Sequence, residues 1–232
     1  MATLYLIPVA LSPEALHVIP SYVHDITRRI RVFIVEDART ARRYLRKTGF
    51  NAAFEEVVLL PLNEHTTTEE ISAHMQYFSG DVEIGLMSEA GVPAVADPGS
   101  KIVGLCHARG IRVVPLCGPS SVLMALMASG MNGQQFTFHG YIPVKHPERR
   151  NYIQHMDART RSGETQLCIE TPYRNNQMLQ DLLAGCHPST ALCIAIDITG
   201  PQESIRTRTI GEWKKNTPEL EKIPAVFVLG RL

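Results

Sequence analysis

The sequence predicts an α/β protein built as two α/β lobes, and three observations lead there. Short apolar, β-branched runs alternate with longer helical patterns along almost the whole chain, which is the pattern of βαβ units around a mainly parallel sheet. The 232 residues are 44% hydrophobic and 20% charged, enough to bury a core in one large domain or two small ones. A proline-containing turn at residues 116–121, LCGPSS, separates two patterns that can each cover a sheet, so the lobes are expected at 1–117 and 118–232.

In the first lobe, LYLIPV reads as a strand, Glu14 to Arg29 as a helix and RVFIVED as a strand. A helix near Thr40 to Lys47 follows, then the strand EEVVLLP, a helix near Thr67 to Phe78 and the strand VEIGLM. A helix over Lys101 to Arg109 stops at Gly110, and IRVVPL is the fifth strand. The second lobe opens with the helix SSVLMALMASG. It continues through the strands FTFHGY, ETQLCIE and ALCIAID, with a charged helix near Glu148 to Arg161 and another near Asn175 to Ala184. SIRTRTI, a short helix near Trp213 and PAVFVLG close it, and these last strands read as partly antiparallel, giving a mixed sheet.

Composition removes several function classes. Lys plus Arg and Asp plus Glu both number 23, so no global charge draws the chain onto nucleic acid or anionic lipid, and any RNA contact must come from a local patch. The N-terminus lacks a basic leader and a cleavage site, and no apolar run reaches the roughly 18 residues of a membrane span; the cytoplasm is the expected compartment. The five cysteines are odd in number and mostly lie in apolar runs, which suits reduced core thiols. Neither CxxC nor HExxH is present, so no metal is expected. The chain has no GxGxxG, P-loop or GxSxG elbow, which removes the main support for dehydrogenases, nucleotide hydrolases and serine hydrolases.

Four segments can carry chemistry. MSEAGVPAVADPGS, residues 87–100, follows a buried strand at the end where parallel sheets bind ligands. Ser88, Glu89, Ala90 and Gly91 there offer small side chains and backbone amides to a ligand, while Asp97 or Ser100 is placed to cap the next helix; a plain tight connection is an equal reading. Gly118-Pro119-Ser120-Ser121 opens a helix whose free amides suit a carboxylate or phosphate, though serine is also an ordinary N-cap. Glu36 and Asp37 end a buried strand, where acids suit a hydroxyl or proton abstraction, and Arg39, Arg42 and Arg43 suit phosphate; the bland reading is an acidic cap and a solvated helix face. Glu170, which ends QLCIE, and Arg174 in the turn that follows read equally as a salt bridge. These residues alone point to an α/β enzyme with a cleft lined by two turns.

Taken in order and spacing, LYLIPVAL, VEDARTARRYL, IGLMSEAGVPAVADPGSKIV, IRVVPLCGPSSVLMALMASGMNGQQFTFHGYIP and IETPYRNNQML resemble the tetrapyrrole methylase superfamily over nearly the whole chain. Within it, SEAGVPAVADPG is similar to the SDAGxPxxxDPG signature of the small-subunit ribosomal RNA cytidine 2′-O-methyltransferase branch, and GPS…SG…F…GYIP to that branch's PGPSA…SGL…F…GFLP.

The resemblance implies a homodimer with S-adenosylmethionine in a cleft between the lobes and ribosomal RNA or the small ribosomal subunit as partner. Carried over residue by residue, Pro8, Ser88, Glu89, Ala90, Gly91, Ser120, Ser121, Tyr141, Ile142, Glu170 and Thr171 would contact the cofactor. Glu36, Asp37 and Arg39 would face the acceptor, an acid taking its proton and the arginine placing a phosphate or carboxylate. The chain departs from the branch in its first loop, Pro8-Val9-Ala10-Leu11-Ser12-Pro13-Glu14 in place of TPIGN or GxGxGD, and in Glu89 for aspartate. It also reads EKIPAVF where KGE is usual and ends at that strand without the branch's C-terminal extension. A small-molecule methylase of the same fold, and an RNA- or protein-binding member without turnover, are the alternative expectations. The basic segments Arg39 to Lys47 and Lys145 to Arg150, with Arg159 and Arg161, are either phosphate contacts or solvated helix faces.

Overall fold

The computed structural model describes every residue except Glu221, so the first residue of the EKIPAVF segment lies outside the described residues. The chain forms two compact units, Met1–Ser120 and Ser121–Leu232. The division falls after the LCGPSS turn has begun because that turn belongs to the first unit. Leu116 donates its amide to the Leu6 carbonyl at 3.0 Å, and Gly118 lies against the Pro8 ring.

The first unit is a five-stranded sheet of β1 (Thr3–Ile7), β2 (Val32–Val35), β3 (Val58–Pro61), β4 (Glu83–Met87) and β5 (Arg112–Pro115), all parallel in the order β3-β2-β4-β1-β5. Helices α1 (Ser21–Arg29), α2 (Ala38–Lys47), α3 (Thr68–His74) and α4 (Gly99–Ala108) complete it. The two-residue period of the strands sorts the core. Phe33 and Val35 join Val23 of α1 and Leu45 of α2, whereas Ile34 and Ile84 join Ile71 of α3 and Ile102 of α4. Both faces are covered, which explains the continuous apolar character of the strands.

The helix expected over Glu14 to Arg29 divides at Pro20. A proline has no amide to donate and pushes the residue before it towards extended backbone, so a short 3-10 turn, Leu16–Val18, ends at Ile19 with ψ 122°. Helix α1 then starts beyond Pro20, whose carbonyl accepts from Val23. Gly110 ends α4 as expected, with φ 66°.

The second unit is a mixed sheet of β6 (Phe136–Tyr141), β7 (Thr165–Ile169), β8 (Ala191–Ile196), β9 (Ser204–Thr209) and β10 (Ala225–Gly230) in the order β6-β7-β10-β8-β9. β6 and β7 are parallel and joined through α6 (Glu148–Thr160); the other pairs are antiparallel. With α7 (Asn175–Gly185) and α8 (Ile210–Lys215) they enclose a core around Phe227, Leu229, Ile153, Leu182 and Trp213, and α5 (Ser121–Ser129) packs on β8, β9 and β10. Trp213 satisfies its indole by donating to the Leu192 carbonyl at 2.8 Å.

The five cysteines carry no disulfide, and four of them are buried. Among the described residues no helix is long and apolar enough to cross a membrane, and no group of three or more His, Cys, Asp or Glu could hold a metal ion.

Candidate active site

The loops that leave β1, β2 and β4 meet at the carboxyl end of the first sheet, and the sequence builds their junction from small residues. Val9 and Gly91 form an antiparallel bridge, with Val9 N to Gly91 O at 2.8 Å and Gly91 N to Val9 O at 2.9 Å. This corrects the expectation of a free Gly91 amide: the bond to Val9 uses it. Gly91 has φ 75°, and a Cβ there would approach Leu11 Cδ2 at 3.3 Å, so glycine fits on both counts. A Cβ on Gly118 would overlap Pro8 Cβ and Cγ, which ties the turn after β5 to the buried Pro8. Tyr44 of α2 donates its hydroxyl to the Pro8 carbonyl at 3.2 Å, and burial pushes that phenol up to about 12.

Asp97 shapes the rest of the β4 loop. Its carboxylate accepts from Ala94 N at 2.9 Å and from Gly99 N at 2.7 Å, holding a loop in which Ala94 and Ala96 take φ of 67° and 60°. Left-handed backbone at two alanines is costly, and the Asp97 bonds to Ala94 and Gly99 bracket the stretch that holds them. Asp97 thus bonds the first residue of α4 while Pro98 occupies the cap position; Ser100 lies within the helix and caps nothing. Burial raises the Asp97 carboxyl above the usual range despite these bonds.

Glu36 and Asp37, adjacent in sequence, have opposite environments. Asp37 is exposed and caps α2, accepting from Thr40 N at 2.7 Å, and that bond lowers its pKa. Glu36 is half-buried at the end of β2; burial, then the negative charges of Asp97 and Glu89, push its carboxyl up to about 7, against a smaller opposing bond from the Glu89 amide. Glu36, Asp37, Ser88 and Glu89 share a cavity of about 20 Å³ with Thr40 and Tyr44. Ser88 donates its hydroxyl to the Ala90 carbonyl at 3.2 Å, and Ala90 and Arg39 are exposed. Three carboxyl groups in one corner, with one held near neutrality, can exchange a proton at ordinary pH and favour a nearby cation.

In the second unit, Ser121 opens α5, Tyr141 is exposed at the end of β6, and Ile142 is buried in the hydrophobic core. The Glu170 carboxylate is fully engaged: it accepts from Arg174 Nη2 at 2.7 Å and the Thr171 amide at 2.8 Å, with Arg149 Nη1 at 3.4 Å. Burial opposes its ionisation, and the Arg174 and Thr171 bonds outweigh that cost, so its pKa is lowered. The salt-bridge reading of Glu170 and Arg174 therefore describes those side chains. Sequence reasoning missed Arg149, which lies in a basic stretch yet is 1% exposed, its Nε 2.8 Å from Asp181 Oδ2. A basic residue at a core-facing position of α6, beside Ile153 and Met156, was the available signal.

No family model matches the chain. Among curated proteins, a ribosomal RNA small subunit methyltransferase I from Xylella fastidiosa is 31% identical over 200 residues, covering 86% of this chain and 67% of that protein. The chain belongs to the ribosomal RNA small subunit methyltransferase I family. The Escherichia coli O157:H7 member is 29% identical over 231 residues, 94% of this chain and 78% of its own length. A Neisseria meningitidis member is 30% identical, and the chain spans 61% of it. Among solved structures, the methyltransferase CobJ aligns with a TM-score of 0.63 at 18% identity, covering 99% of this chain and 93% of that one. A uroporphyrin III C-methyl transferase from Thermus thermophilus gives 0.59 at 17%, covering 99% and 97%. The fold is that of the tetrapyrrole methylases, and one such neighbour, a uroporphyrin-III C-methyl transferase from Thermus thermophilus with a TM-score of 0.55 at 17% identity, covering 99% of this chain and 96% of that one, is complexed with S-adenosyl homocysteine, the demethylated form of S-adenosylmethionine. The carboxylate corner fits such a group, because the methyl donor is a sulfonium cation and Glu36, Glu89 and Asp97 favour positive charge.

Proposed function

We propose that this chain transfers a methyl group from S-adenosylmethionine to a ribose 2′-hydroxyl of small-subunit ribosomal RNA, with Glu36 accepting the hydroxyl proton. The observation that carries the assignment is the Glu36 carboxyl, held at about 7 in a corner lined by the β1, β2 and β4 loops. A general base works best when its pKa lies near the working pH, and Asp37, bound up in the α2 cap, lacks that property. The relatives named above act, by their names, on small-subunit ribosomal RNA, which supports the acceptor class.

S-adenosylmethionine, when bound, supplies an activated methyl group whose C–S bond breaks as the C–O bond to the acceptor forms. Most of the remaining work is alignment and exclusion of water. Glu36 receives the proton from the acceptor oxygen, and burial, with the charges of Asp97 and Glu89, keeps that carboxyl basic enough to take it. Arg39, exposed on the first turn of α2, places a phosphate of the acceptor. In this reading Pro8, Ser88, Glu89, Ala90, Gly91 and Ser120 of the first unit contact the cofactor, as do Ser121, Tyr141, Ile142, Glu170 and Thr171 of the second. Ile142 and Glu170 would contribute main chain, their side chains being taken up elsewhere. A cytoplasmic homodimer completes the proposal, on the strength of the family resemblance, and sedimentation of the purified chain tests the dimer.

The test is transfer of radiolabelled methyl to small ribosomal subunits from a strain lacking the cytidine 2′-O modification, with protein-free RNA alongside. Label at a ribose hydroxyl is the expected result, with Glu36→Gln lowering turnover by about 10²–10⁴-fold at unchanged cofactor affinity. Full turnover in Glu36→Gln overturns the base assignment. Absence of label with the cofactor tightly bound points to a small-molecule acceptor, and absence of both points to a binding protein without turnover.

A further inference from the structure

A second cavity in the first unit, of about 160 Å³, lies under the first loop and is lined by Leu11, Pro13 and Leu16 on its apolar side and by Arg43 and Lys47 of α2. It shares Val9, Thr40, Tyr44 and Glu89 with the Glu36 corner, so the two are contiguous. Its volume is well below the roughly 300–1,000 Å³ of sites that take a whole drug-sized ligand, so it receives part of a molecule, on the scale of one base or sugar.

Beyond Arg39, the basic residues of α2 fall into two sets. Arg42 and Arg46 lie over the Phe54 ring, 5.9 and 4.9 Å from its centroid, and are held there by cation–π attraction. Arg43 and Lys47, one helical turn apart, occupy the neighbouring face and reach the cavity. Both are exposed, and among the described residues Arg43 has no acidic partner, while Lys47 donates only to the Pro13 carbonyl at 3.4 Å. Glu89 also lines this cavity, near Thr40 (Oγ1 to Oε1 3.5 Å). Thr40 and Lys47 are about 10 Å apart along the helix axis, so the cavity has an acidic end and a basic end. An exposed guanidinium beside an ammonium is the arrangement that grips a phosphate, and the apolar wall offers a surface for a base.

We propose that this cavity receives a nucleotide of the RNA substrate, its base or sugar against the Leu11, Pro13 and Leu16 wall, with Arg43 and Lys47 holding an adjoining backbone phosphate. The inference rests on the RNA methyltransferase reading. It assigns the altered first loop a role in the nucleotide pocket and divides the four basic residues of α2 after Arg39 into two phosphate-binding cations and two packing cations.

The experiment measures binding of protein-free small-subunit ribosomal RNA as a function of salt for the wild type, for R43Q/K47Q and for R42Q/R46Q, with methyl transfer and cofactor affinity followed in parallel. Each lost phosphate contact lowers the slope of log K against log salt by about 0.7–0.9. With their one shared phosphate lost, R43Q/K47Q is therefore expected to flatten the slope by about 0.7–0.9 while leaving cofactor affinity intact, with a clearly smaller change for R42Q/R46Q. All four residues are exposed, and thermal unfolding checks that the variants fold. An unchanged slope in R43Q/K47Q, or an equal fall in R42Q/R46Q, overturns the proposal while wild-type methylation of RNA keeps the broader reading. A wild type that neither binds nor methylates RNA overturns both.

Discussion

Replacing Glu36 by glutamine should stabilise the protein at alkaline pH while it disables the proposed reaction. The Glu36 carboxyl titrates at about 7 in the folded chain and at 4.5 ordinarily, burial being the main cause. Below pH 4.5 both folded and unfolded states hold the proton, so this group contributes no pH dependence there. Between 4.5 and 7 the unfolded chain has released a proton that the folded chain keeps, so unfolding releases a proton and stability falls as pH rises; above 7 the loss is complete. At about 1.4 kcal/mol per pH unit the full effect would be about 3 kcal/mol, and because Glu36 is only half-buried, solvent screening reduces it to about 1–2 kcal/mol. Glutamine keeps the shape and never ionises. Urea unfolding of wild type and Glu36→Gln, followed at pH 5 and pH 8, should show near equality at pH 5 and a variant more stable by about 1–2 kcal/mol at pH 8. A variant no more stable than wild type at pH 8 would refute the reasoning, since Glu36 would then carry no penalty for its charge.

Other perturbations separate the roles assigned above. Asp37→Asn preserves a good N-cap for α2, so melting temperature and methyl transfer should both stay near wild type; loss of turnover would return Asp37 to the proton-transfer role. Gly118→Ala must displace the buried Pro8 and should destabilise the first unit by about 1–3 kcal/mol in denaturant unfolding, with weaker cofactor binding at a temperature where the variant is folded. Arg149→Met leaves Asp181 without its 2.8 Å partner and weakens the surroundings of Glu170, and should cost about 3–5 kcal/mol by urea unfolding.

Much of the architecture is legible in the sequence because each strand carries its own evidence. VFIV, EIGLM and AVFVLG are apolar on both faces, and a strand covered on both sides has no other way to read. Gly110 ends its helix by a local rule that needs no tertiary contact. The helix expected over Glu14 to Arg29 divides for an equally local reason: Pro20 interrupts a pattern whose apolar spacing continues across it.

The alternation of elements and the change of character at the proline turn follow from local pattern alone. Only the tertiary structure separated Glu36 from Asp37. Adjacent residues with the same chemical group differ there because one caps a helix in water and the other lies half-buried near Asp97 and Glu89, which come from a loop distant in sequence. The same reason explains Gly91, whose amide is used by Val9 across the fold, and Arg149, whose charge is matched only by residues that folding brings to it. Burial and long-range partners are properties of the folded chain, and local pattern carries no record of them.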